Sequence, residues 1–62
     1  MNNLKNFRLK AGLSQFQLAK ISNVAPSEIS KLETGLIARP FPAWRKRLAK
    51  ALKVSEKELW GE

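Results

Sequence analysis

GLSQFQLAKISNVAPSEISKLETG, residues 12–35, is the stretch that decides the fold. Ser14 with Gln17 three residues later is the capping-box pattern, in which each side chain satisfies the other residue's backbone N–H at a helix start. Leu18, Ala19 and Ser22 line one face of the helix that follows, and Ala19 is small enough to let another helix approach closely. Ser22-Asn23-Val24 reads as a tight turn, with Asn23 able to take positive φ. Pro26 opens the next helix at the position where a missing N–H costs nothing and φ is already set. On that helix Ile29 and Leu32 face inward, Ser27, Glu28, Ser30, Lys31 and Thr34 are left outside, and Gly35 ends it.

The same reading extends to both sides. Leu4, Phe7, Arg8 and Ala11 recur at helical spacing over residues 3–11, and Gly12 stops that helix as a left-handed cap. Residues 36–41 form a connector with an apolar start and an Arg-Pro step. A fourth helix is expected from about Pro42 to Leu52, with Trp44, Leu48, Ala51 and Leu52 inward and Arg45, Lys46, Arg47, Lys50 and Lys53 over the remainder. A second capping box, Ser55 with Glu58, opens a one-turn helix that carries Leu59 and Trp60. No period-two run of Val, Ile and Thr suggests a strand, and neither repeat nor linker interrupts the pattern. The expectation is a compact all-α fold of five short helices, with residues 1–62 as one domain.

Composition narrows the function. A chain of 62 residues buries only about 60% of its unfolded surface, and this one has neither cysteine nor histidine to staple it. Twelve Lys and Arg against five acids give +7, a charge that draws a polyanion: nucleic acid, an anionic membrane surface or an acidic protein. His, Cys, Asp and Tyr are all missing, and there is no Gly-rich phosphate loop, nucleophile–base pair or metal-ligand spacing. The protein is therefore expected not to be an enzyme and to need no metal, cofactor or small-molecule ligand. Met1 leads straight into Asn2, Asn3 and Lys5, which is no signal peptide, and the apolar stretches are too short to span a bilayer. A cytoplasmic protein without a membrane partner is the expectation.

Residues 12–35 resemble the helix-turn-helix family of the phage Cro and CI repressors, the XRE family. The likeness rests on Gly12-Leu13, Ser14-Gln15, Leu18-Ala19, the Asn23-Val24 turn, Ile29, Leu32-Glu33 and Gly35, followed by Ala49-Lys50-Ala51-Leu52 with Val54-Ser55. Asn23 stands where the family often has Gly, which Asn replaces at little cost in a left-handed turn. Ala25 stands where it has Ser or Thr, a lost hydroxyl cap of up to about 1 kcal/mol that Pro26 partly offsets. Arg45 stands where many relatives carry Leu.

The resemblance implies a lambda-repressor-like DNA-binding domain whose second and third helices form the helix-turn-helix. It implies sequence-specific double-stranded DNA binding by a small transcriptional regulator, as a homodimer on a two-fold symmetric operator. With no effector domain after residue 62, repression by promoter occlusion is the simplest mechanism, in a cytoplasmic, nucleoid-associated protein of bacterial or phage origin. Pro26, Ser27, Glu28 and Lys31 are the implied base-reading residues, and Gln15, Thr34, Arg39, Arg45 and Lys46 the implied contacts to the DNA backbone. Arg8 and Glu33 correspond to a structural ion pair between the first and third helices.

Several assignments carry two readings. Lys31 suits guanine O6 and N7, or a phosphate. Glu28 can accept from cytosine N4, or only complement the helix dipole. Pro26 offers at most packing on a thymine methyl. The basic face of the fourth helix can track DNA, stay solvated, or lie on a membrane surface. An antitoxin or protein-interaction module on the same fold is the main rival, favoured by any large exposed apolar patch around Ile37, Phe41 and Trp60. Phe16 lies where the family is usually polar and has no assigned role.

Overall fold

The computed structural model describes residues 2–37 and 40–61. Those residues form five helices and no strand: α1 (Leu4–Lys10), α2 (Gln15–Ser22), α3 (Pro26–Thr34), α4 (Pro42–Leu52) and α5 (Glu56–Trp60). α2 packs on both α3 and α4, α4 on α5, and α1 on α3 and α5. Every helix supplies at least one fully buried side chain to the common core. Leu4 comes from α1, Leu18 from α2, Ile29 and Leu32 from α3, Leu48 from α4 and Leu59 from α5. Each such burial contributes about 1.5–3 kcal/mol, so no helix is dispensable.

Local chemistry sets the helix ends. The Ser14–Gln17 box is complete, whereas Ser55 accepts from the Glu58 N–H but does not return a bond from its own N–H to the Glu58 carboxylate. Asn23 and Gly12 both take the left-handed conformation expected of them. Lys53 takes it too, at the end of α4, where a side chain with a Cβ bears the strain. Two asparagines lash the amino terminus to the body. Asn2 accepts from the Leu4 N–H and donates to the carbonyl of Leu32, and Asn3 donates to the carbonyls of Leu59 and Glu58.

One expectation needs correcting. Ala11 is exposed rather than inward, because α1 ends at Lys10 and the left-handed turn at Gly12 carries the chain away from the core. On α4 Leu48 and Leu52 are buried, and Trp44 and Ala51 pack half-buried against the core as expected, while Ala49 is buried as well. The large apolar patch around Ile37, Phe41 and Trp60 that would favour a protein-interaction module does not form. Trp60 is buried and its Nε1 donates to the Arg45 carbonyl, Ile37 is half-buried, and only Phe41 is exposed, edge-on to Trp44 at 5.0 Å. No helix among the described residues is long and apolar enough to cross a membrane.

Candidate nucleic-acid interface

The α2–turn–α3 unit places a polar helix face on the outside of the molecule. Ala19 and Val24 are buried at the crossing, and the Asn23 N–H closes α2 on the Ala19 carbonyl at 2.9 Å. Pro26 then starts α3 with no side-chain cap from Ala25. Ile29 and Leu32 pin the inner face, so Ser27, Lys31 and Thr34, at i, i+4 and i+7, share the exposed one. Glu28 and Ser30 flank that face and are half-buried rather than fully outside. The Glu28 carboxylate lies 3.7 Å from the Lys31 ammonium, and the Thr34 hydroxyl donates to the Lys31 carbonyl. Pro26 is half-buried at the edge of an open groove of about 530 Å³ between α2 and the start of α3. Phe16, 72% exposed, walls the same groove together with Lys20.

A buried polar cluster locks α3 to the rest. Arg8 Nε and Nη2 grip both Glu33 oxygens, at 2.6 and 3.2 Å, while Nη1 donates to the Leu13 carbonyl at 2.8 Å. The fork geometry is the strong, bidentate form of the ion pair. The Glu33 hydrogen bonds hold the Arg8 pKa above its ordinary value; burial opposes this, and the Glu33 charge adds to the rise. A raised value stabilises the fold at every pH below the unfolded-state pKa of an arginine, which is far above neutral, so Arg8 introduces no pH dependence in the working range. Gln15 joins the cluster from α2, its Nε2 donating to Glu33 Oε1 at 3.1 Å. An amide nitrogen carries two hydrogens, so one is still available.

The remaining backbone candidates sit in different settings. The capping box takes the N–H groups of Ser14 and Gln17, leaving those of Gln15 and Phe16 as the amides it does not satisfy at the α2 start. On α4, Lys46 is exposed. Arg45 instead turns toward α5, its Nε 3.7 Å from Glu56. Arg39 lies outside the described residues. Among the described residues no three acidic side chains come together in a way that could hold a metal ion.

Two of these relationships escaped the sequence reading. The Glu28–Lys31 pair is signalled by its i, i+3 spacing. The Gln15–Glu33 bond has no such signal, because it depends on how α2 crosses α3.

Comparison with known proteins agrees with this architecture. The family described as helix-turn-helix domain matches residues 2–59. Neither the curated proteins nor the solved structures yield a match. With its central helix pair, left-handed turn and buried α1–α3 lock inside the matched span, the chain belongs to the helix-turn-helix domain family.

Proposed function

We propose that residues 1–62 act as one domain that binds double-stranded DNA in a sequence-specific way, as a small transcriptional regulator of the Cro and CI type. α3 lies in the major groove, about 12 Å wide, and α2 sits across the backbone. The observation that carries the reading is the fixed outer face of α3. Ser27, Lys31 and Thr34 project from a helix whose other side is held by Ile29, Leu32 and the Arg8–Glu33 pair. Base edges are read by Ser27, Glu28 and Lys31, with Pro26 packing on a thymine methyl. Gln15, Thr34, Arg39, Arg45 and Lys46 contact the backbone and set register. Arg8 neutralises Glu33, so the second Gln15 amide hydrogen can meet a phosphate without an uncompensated carboxylate beside it.

Two copies bind a two-fold symmetric operator as a homodimer, and occupation of a promoter represses transcription. The setting is the cytoplasm of a bacterium, at the nucleoid. Membrane-surface binding is disfavoured because an interfacial helix needs a free apolar face, and Leu48, Ala49 and Leu52 of α4 are in the core. A protein-interaction role has one observation behind it, the exposed Phe16 beside an open groove.

Titration of duplex DNA at several salt concentrations tests the reading. Neutralising about five to seven phosphates per bound unit gives a log–log slope of about −4 to −6. A slope near zero would remove DNA binding as the main function and put the interaction module first.

A further inference from the structure

We infer that Glu28 and Lys31 act as one unit that reads a single G·C base pair in a fixed orientation; this rests on the DNA-binding reading above. Their charged atoms lie 3.7 Å apart, one helical turn from each other at the edge of the exposed face of α3. That separation is an ion pair but too long for a hydrogen bond, so it uses up neither group. The ammonium keeps three donors and the carboxylate keeps its acceptor positions. The Lys31 side chain is 46% exposed and the Glu28 side chain 25%, so both tips are reachable from outside the helix.

A G·C edge offers the matching arrangement. Guanine O6 and cytosine N4 are Watson–Crick partners about 2.9 Å apart, and guanine N7 adds a second acceptor beside O6. With Lys31 over guanine and Glu28 over cytosine, the ammonium meets two acceptors and the carboxylate meets the N4–H donor. The reversed pair sets the ammonium against N4–H and the carboxylate against O6 and N7, which repels at both ends. A·T in the same register leaves the carboxylate facing thymine O4, again acceptor against acceptor. T·A is the second choice, because Lys31 meets O4 and Glu28 meets the adenine N6–H, with N7 as the one mismatch. The order is G·C, then T·A, then the other two. Glu28 is thereby a specificity-determining residue rather than a mere complement to the helix dipole.

The full chain and its Glu28→Gln and Lys31→Ala variants can each be put through selection from random duplex DNA, with helical content checked by circular dichroism. Wild type is expected to show one position per half-site where G·C exceeds the reversed pair by roughly 5- to 150-fold. Each end discriminates by itself, so both variants are expected to weaken that preference several-fold at this same position, while other positions hold. If Glu28→Gln leaves the position unchanged, or the two variants disturb different positions, the paired reading is wrong while the DNA-binding reading stands. If wild type enriches no site at all, both fall together.

Discussion

Arg8 Nε lies 2.6 Å from Glu33 Oε2, and both side chains are more than nine-tenths buried where α1 meets α3. The pair sits one turn from the exposed face of α3, so it sets the angle at which that helix leaves the body. A buried ion pair of this kind adds little net stability, yet removing one partner strands the other without compensation.

Glu33→Ala is therefore expected to cost about 3–5 kcal/mol. The whole stability of a domain this size is roughly 3–9 kcal/mol, so the variant should be largely unfolded or close to it. Urea denaturation against Lys57→Ala, an exposed charge expected to stay within about 0.5 kcal/mol, provides the measurement. Equal effects from the two substitutions would show that the pair does not hold α3.

Ala25→Ser is expected to gain up to about 1 kcal/mol. Ala25 is exposed at the N-cap of α3 with φ −58 and ψ 142, and no side chain caps the helix there. A hydroxyl at this position can accept from the Ser27 N–H, since Pro26 has none and the Glu28 N–H already donates to the Ala25 carbonyl. Thermal unfolding should rise by about 4–8 °C per kcal/mol gained in a domain of this length. An unchanged or lowered midpoint would mean that the cap geometry is not available.

Lys46→Ala and Arg45→Ala should separate in their salt dependence. Lys46 is exposed, and its loss should flatten the log–log slope on DNA by about 0.9 if it neutralises one phosphate. Arg45 lies 3.7 Å from Glu56, so part of its charge is compensated and its loss should flatten the slope by less. A larger change for Arg45 would mean that it leaves Glu56 to reach the backbone.

The legible parts of the fold were those written in local chemistry. The Ser14–Gln17 box, Pro26 at a helix start and Asn23 in a left-handed turn each depend on residues within a few positions, and each stands as those residues imply. Lys53 in the left-handed region was not legible, because lysine carries no turn signal and the stop is imposed by α5 folding back on α4. Arg45 shows the same limit at the site. Its position on the basic face of α4 suggested phosphate, and only the α4–α5 packing reveals Glu56 beside it. Phe16 looked out of place in the sequence and is exposed in the structure, beside a groove that no local pattern announces.

If α3 reads duplex DNA, binding sites enriched from a random duplex pool will carry its signature. One enriched motif is expected, with two half-sites related by a dyad, their centres about 10–10.5 bp apart. Lys31→Ala should weaken the preference for G·C at a single position in each half-site and leave the spacing intact, while binding to unrelated DNA falls only modestly. A pool that shows no enrichment with wild-type protein would mean that α3 does not read DNA sequence. Uniform weakening by Lys31→Ala on every sequence would make Lys31 a phosphate contact and remove it from the reading face.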